Sequence, residues 1–258
     1  MSEPMLEGRR ILVTGAATGI GRATAEYLVS VGAKVFGTGL DEIEGEELAA
    51  QYRNRRLPLH FRRADLTSEA EVQAVVASVL ATFDGLDAVV NCAGVYMTGK
   101  RLEDVVDAEW DRTIAVNLTA IFRVCRATLP LLRSAGGGSV VNIASVHALA
   151  TVVGVPAYAA SKAAVAGLSR QMALDYAVDR IRVNSVVVGS VATRMTLDGL
   201  EKAGGAEALG LSFADNRIAR IADPREIATA IAFLVSDAAS FVTGSAFVVD
   251  GGMLARLM

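Results

Sequence analysis

Short apolar runs alternate with longer segments of helical periodicity from one end of the chain to the other. The runs are Ile11–Thr14, Lys34–Thr38, Leu57–Phe61, Leu86–Asn91, Ser139–Ser145, Ile181–Val188 and Ala246–Asp250. Several are apolar at consecutive positions, as expected of strands covered on both faces rather than one. Between them, Gly21–Val31, Ser68–Thr82, Ala108–Arg133, Tyr158–Val178 and Pro224–Ser236 carry helical spacing. The Thr67-Ser68-Glu69-Ala70-Glu71 stretch has the form of a helix start, a hydroxyl cap followed by early acids. Repeated strand–helix alternation predicts an α/β fold: a doubly wound parallel sheet of about seven strands with helices on both faces. No linker or internal repeat interrupts the alternation, so the 258 residues are expected to form a single domain.

Composition narrows the functional classes. Hydrophobic residues make up 52% of the chain and charged residues 21%, which excludes a disordered chain and calls for a large core. Aromatics are only 5%, so that core is aliphatic. A net charge of −3 gives no basic excess for nucleic acid or an anionic membrane. The stretch from Ser134 to Ser161 has no charged residue and exceeds the roughly 20 residues of a spanning helix. Gly136, Gly137, Gly138, Asn142, His147 and Pro156 break it, so it reads as strand, loop and helix start, with no membrane span. The N-terminal MSEPMLEGRR lacks the apolar core of a signal peptide. Cys92 and Cys125 are too few for a disulfide framework and are not clustered as metal ligands. The expectation is a cytoplasmic enzyme without metal, acting on a small molecule.

The first strand runs into Thr14-Gly15-Ala16-Ala17-Thr18-Gly19-Ile20-Gly21 and then a helix. Glycines there let the backbone turn sharply and approach a pyrophosphate, whose charge is stabilised by free N–H groups at the helix N-terminus. Downstream, Tyr158 and Lys162 stand at i and i+4, on one helix face. A nearby lysine cation favours a phenolate and is expected to lower the tyrosine pKa. Ser145 closes the fifth apolar run, at the carboxyl edge where such sheets bind ligands, and its hydroxyl can stabilise developing negative charge. Asn117 is an odd residue inside a helical, otherwise apolar segment, because asparagine weakens helix interiors.

Together these motifs resemble the short-chain dehydrogenase/reductase family, from about Gly8 to Gly252. The resemblance implies a single-domain Rossmann-like fold and hydride exchange between a nicotinamide dinucleotide and a secondary alcohol or ketone. It implies a tetrad of Asn117, Ser145, Tyr158 and Lys162, with Tyr158 as acid/base, Lys162 as its electrostatic partner and ribose anchor, Ser145 as oxyanion donor and Asn117 supporting a water relay. It further implies cofactor contacts from Gly15, Thr18, Gly19, Ile20, Gly21, Asp65, Leu66, Asn91, Ala93, Gly94, Gly189, Val191 and Thr193. Cys92 replaces an asparagine of the family pattern and reads as a small buried hydrophobe; Val188 replaces a proline. At the end of the second strand, Gly39 stands where NAD-preferring members usually carry aspartate. Leu40 falls where NADP-preferring members often carry arginine. Asp41 lies two positions beyond Gly39, and Thr18 is not basic. The lack of a cation favours NAD, with NADP as the alternative for a carbonyl reductase.

Substrate choice is expected after Ser145 and after Thr193. His147, Tyr96 and Met195 are the candidate substrate contacts, with Met97, Val153 and Leu197 adding apolar surface. Ser145-Val146-His147 resembles hydroxybutyrate dehydrogenases, but Ala148–Val155 holds no lysine to pair with an acid. Polyols, cyclic alcohols and hydroxy acids all remain as substrate types. The glycine-rich segment 194–216 reads as a substrate lid or as cover for an oligomer contact. The family resemblance implies a homotetramer built on the two long helices. Enoyl reductases space tyrosine and lysine by seven, against four here, and a non-catalytic dinucleotide-binding regulator would not need the tetrad.

Overall fold

Seven parallel strands form one sheet in the order β3-β2-β1-β4-β5-β6-β7. They are β1 (Arg10–Thr14), β2 (Lys34–Gly39), β3 (Leu59–Arg63), β4 (Ala88–Asn91), β5 (Gly138–Ile143), β6 (Ile181–Val188) and β7 (Ala246–Val249). The connecting helices are α1 (Gly19–Ser30), α2 (Glu42–Asn54), α3 (Glu69–Phe83), α4 (Asp107–Ile114), α5 (Ala120–Ser134), α6 (Pro156–Asp175), α7 (Arg194–Lys202) and α8 (Pro224–Val235). This computed structural model describes residues 5–202, 204–209, 211, 213–214 and 220–255.

The continuous apolar runs follow from burial on both faces. Ile11 and Val13 of β1 point into a cluster with Ala25, Leu28, Leu48 and Ile231, while Leu12 between them enters a second cluster with Val75, Val124 and Val165. Thus α1, α2 and α8 cover one face, and α3, α5 and α6 cover the other. Each large aliphatic side chain taken fully from water contributes about 1.5–3 kcal/mol, so the two clusters dominate stability. The edge strand β3 is the exception. It begins after Pro58 and carries Arg62 and Arg63, later than the apolar run 57–61 suggests, because an edge strand tolerates outward charge.

Two helices escaped the periodicity. The buried stripe of α2 is Gly45, Leu48, Ala49 and Tyr52, correctly spaced but half made of small residues in a polar sequence. The other is α7. Of the expected lid 194–216, Ala203, Gly210, Ser212, Asp215 and Asn216 lie outside the described residues.

The helix expected over Ala108–Arg133 runs from Asp107 to Ser134 but contains one π turn, Ala115–Thr119, closed by the Ala120 N–H on the Ala115 carbonyl. By length and hydropathy Asp107–Ser134 could cross a membrane. Its apolar stripe, including Ile121, Val124, Leu129 and Leu132, lies in the second core cluster.

Chain order reverses between β1 and β4, which places a crevice at the carboxyl ends of these strands, where open parallel sheets take ligands. Every motif singled out above, apart from the closing strand, falls along this edge.

Candidate active site

The glycine turn is held by contacts that admit no side chain. A Cβ on Gly15 would stand 2.9 Å from Ala93 N and Cα, and one on Gly21 would run into the Gly15 carbonyl. Gly15 and Gly19 have φ of 66° and 56°, in the region that favours glycine. The Thr14 hydroxyl accepts hydrogen bonds from the N–H groups of Cys92 (3.1 Å) and Ala93 (3.2 Å), which ties the ends of β1 and β4 together. Thr14 was not among the expected site residues.

Three other helices carry side-chain caps, Asp41 on α2, Ser68 on α3 and Asp223 on α8. Thr18 makes no such bond at α1, whose first turn also lacks an acid. Thr18 and Gly19 at this helix start border a cleft of about 700 Å³ that runs along α1 past Arg22, Glu26 and Ser30 and is closed by Thr193 and Arg225. An uncapped helix start beside a glycine turn and a roomy cleft fits the pyrophosphate of a dinucleotide. The residues present fit the group that the resemblance implies.

The other expected cofactor residues lie around the same edge. Asp65, just past β3, accepts from the Thr67 N–H (2.9 Å) and hydroxyl (2.7 Å), and these bonds hold its carboxyl below the usual range. Leu66 is buried. Buried Asn91 donates to Asn142 Oδ1 at 2.8 Å. Beyond β6, a Cβ on Gly189 would stand 2.8 Å from Asp250 Cα, Val191 bridges to Ala222, and the Thr193 methyl lies 3.2 Å from the Cβ position of Gly19. Leu40 is exposed, and Asp41 caps α2 by accepting from the Glu44 N–H. Cys92 is only partly buried as a residue, packed against the core, and burial of its thiol pushes it up to about 12.

The four tetrad residues converge on Gly94, Ser145 and the start of α6. A Cβ on Gly94 would be 3.3 Å from Asn117 Oδ1 and 3.6 Å from Lys162 Nζ, so the two side chains flank that glycine. Asn117 is fully buried at the centre of the π turn. Its Oδ1 accepts from the Val95 N–H at 2.8 Å, while its Nδ2 donates to the Val95 carbonyl (3.0 Å) and to Ser161 Oγ (3.1 Å). Ser161, which the sequence did not single out, donates in turn to the Tyr158 carbonyl at 2.7 Å. The strand expected to end at Ser145 stops at Ile143, because Ser145 instead caps the short 3-10 turn Val146–Ala148. Its hydroxyl accepts from the His147 N–H at 3.3 Å and lies near enough to Tyr158 to favour the phenolate.

The expected lysine effect on Tyr158 does not hold in the folded chain. Burial pushes the phenol up to about 12, offset in part by the Ser145 hydroxyl. Lys162 Nζ lies 5.7 Å from the ring centroid and donates to the Ile143 carbonyl at 2.8 Å. Its ammonium thus stands over the ring, and desolvation of the phenolate wins.

Burial acts on Lys162 as well, drawing its pKa down to about 8 from 10.5. From pH 8 to 10.5 the unfolded chain binds this proton more firmly than the folded one, so stability rises with pH across that window. At lower pH the whole shift opposes folding, on the order of 3 kcal/mol. In cofactor-free protein, the Lys162→Met variant is expected to melt above wild type at neutral pH and to lose most of that advantage by about pH 10. Chemical denaturation across this range checks it; a gap independent of pH would refute it. Tyr158 acts in the opposite direction, but only above its ordinary value near 10.

Two rings wall Tyr158. Tyr96 meets it edge-on at 4.7 Å between centroids, and His147 does so at 5.5 Å. His147 Nδ1 lies 2.9 Å from Thr151 Oγ1, and burial lowers the imidazole pKa from its ordinary value. Leu149, Val152 and Val153 are exposed on the loop that follows. His147 and Tyr96 gather around the phenol, and Met195 is exposed on the first turn of α7. Among the described residues, no group of three or more His, Cys, Asp or Glu is placed to hold a metal ion.

Comparison with known proteins agrees with this geometry. A family model described as enoyl-(acyl carrier protein) reductase matches residues 15–254. Cyclopentanol dehydrogenase of Comamonas testosteroni is 40% identical over 246 residues, 95% of this chain and 97% of that one. The 3-alpha-(or 20-beta)-hydroxysteroid dehydrogenase of Mycobacterium tuberculosis is 39% identical, covering 98% of this chain and 92% of its own. The crystal structure of levodione reductase superposes with a TM-score of 0.91 at 31% identity, covering 98% of this chain and all of that one. The chain belongs to the short-chain dehydrogenase/reductase family and is an oxidoreductase acting on CH–OH groups.

Proposed function

We propose that this protein oxidises neutral, ring-bearing secondary alcohols, and reduces the matching ketones, with NAD(H). The observation that carries the substrate reading is the pair of rings around Tyr158 together with a His147 that burial keeps neutral at pH 7. A hydroxy acid needs a cation for its carboxylate, and neither His147 nor Ala148–Val155 supplies one. Apolar cyclic carbon suits the aromatic walls, and the relatives described above carry cyclopentanol, hydroxysteroid and levodione in their names.

The bound nicotinamide supplies hydride acceptance or donation. The chain's own groups handle the oxygen. Ser145 orients it and stabilises negative charge on it, and Tyr158 takes its proton during oxidation or returns one during reduction. Lys162 holds the ribose, and Asn117 supports the proton path from its place in the π turn. NAD(H) is favoured by the absence of a basic residue at Thr18, Gly39 and Leu40.

Segment 194–216 acts as a lid, with Met195 and Leu197 offering apolar surface. The protein works as a cytoplasmic homotetramer. Phe122 on α5 and Leu174 on α6 are large apolar groups left exposed on the two helices that would pair between copies.

A panel of cyclopentanol, a hydroxysteroid, a linear polyol and 3-hydroxybutyrate, each with NAD and NADP, tests the reading through nicotinamide absorbance. The cyclic alcohols with NAD are expected to exceed the hydroxy acid in kcat/KM by at least about tenfold. A preference for 3-hydroxybutyrate would overturn it.

A further inference from the structure

Neither the acid nor the cation of the family pattern stands at the end of β2, yet the fold brings three distant side chains there. Glu44, in the first turn of α2, accepts from Arg22 Nη1 of α1 at 3.0 Å through Oε2 and from Arg194 Nη2 of α7 at 3.3 Å through Oε1. Arg194 Nη1 also stands 4.0 Å from Asp41 Oδ2, and Arg22 Nε lies 3.2 Å from Glu26 Oε1. Arg22, Glu44 and Arg194 line the cleft that also holds Thr18 and Gly19 of the glycine turn. Nothing in the local sequence marks the cluster, since Glu44 and Arg194 are 150 residues apart.

We propose that Glu44 sets cofactor specificity by holding Arg22 and Arg194 in ion pairs, so that neither guanidinium serves a 2′-phosphate. The inference rests on the NAD(H) reading above and names the residue responsible for it. A phosphomonoester brings about −1.5 to −2 charges at pH 7 and needs arginine to offset them. With Glu44 in place, it meets two carboxylates, Glu44 and Asp41, and arginines already engaged. These pairs are open to solvent, with the Arg194 side chain 66% exposed, so they are individually weak and readily exchanged. Removing the charge at Glu44 therefore leaves Arg194 with only the 4.0 Å approach of Asp41, while Arg22 keeps Glu26, and the core is untouched. The preference is a competition inside the chain, decided by one carboxylate.

The test is calorimetric titration of NADH and NADPH into wild type, Glu44→Gln, Glu44→Asp and the double variant Glu44→Gln/Arg194→Ala, none of which needs turnover. Wild type is expected to bind NADH more tightly. Glu44→Gln is expected to shift the ratio of dissociation constants toward NADPH by about tenfold or more. That shift should shrink as salt rises, fall in the double variant to the smaller part that Arg22 can supply, and be absent in Glu44→Asp, which retains the charge. An unmoved ratio in Glu44→Gln, or equal weakening of both cofactors, overturns the role of Glu44 and leaves the NAD(H) reading standing. A wild type that prefers NADPH overturns that reading itself. Should Glu44→Gln not fold, Arg194→Glu reads the same interaction from an exposed site. Its NADH preference should widen, and an unchanged ratio would count against the proposal.

Discussion

Tyr158→Phe is expected to lower kcat by about a thousandfold or more while leaving the dissociation constant for NADH within about threefold of wild type. The substitution removes only the hydroxyl. The ring keeps its edge contacts with Tyr96 and His147, and Lys162 keeps its bond to the Ile143 carbonyl. What is lost is the group that exchanges a proton with the substrate oxygen. Single-turnover kinetics beside a binding titration separate chemistry from affinity. Turnover within tenfold of wild type would remove Tyr158 from the proposed role. Because burial holds the phenol high in the cofactor-free protein, the pH profile of the wild-type step carries information too, and the Phe variant should lose it. Oxidation needs the phenolate and should gain with rising pH; reduction needs the phenol and should not.

The second large effect is expected at Gly21→Ala. In a helix interior this exchange would ordinarily stabilise by about 1 kcal/mol. Here the added methyl runs into the Gly15 carbonyl and presses on Ala16 N, so the turn that presents the α1 N-terminus must open. Loss of NADH affinity by about a hundredfold or more is expected, with a lower melting temperature, because overpacking against backbone has no soft direction in which to relax. Near-wild-type binding would show that the turn is not the phosphate cradle argued above.

Much of the fold was legible because its grammar is local. Strands buried on both faces must be apolar at consecutive positions, as Val186-Val187-Val188 is, and β6 spans Ile181–Val188 as expected. The failures have physical causes as well. The stripe of α2 is made of glycine and alanine as much as of leucine, so burial there left little hydrophobic signal. The π turn around Asn117 could not be read either. It inserts a residue into a helical ladder at no cost in apolar periodicity, and the oddity of a buried asparagine was its only trace.

By itself the sequence determined the doubly wound sheet and the place of the glycine turn, and its resemblance to the family pointed to the four tetrad residues. The first two rest on spacing within one segment, the last on motifs matched position by position. The tertiary structure decided the rest, because it depends on distance between segments. Desolvation, not Lys162, governs the free Tyr158 phenol, since the ammonium lies over the ring and is engaged by a carbonyl. Tyr96 and His147 become walls of one site only once β4 and β5 lie side by side. The charges at the end of β2 come from α1, α2 and α7, which share no pattern along the chain and meet only when the sheet closes its crevice.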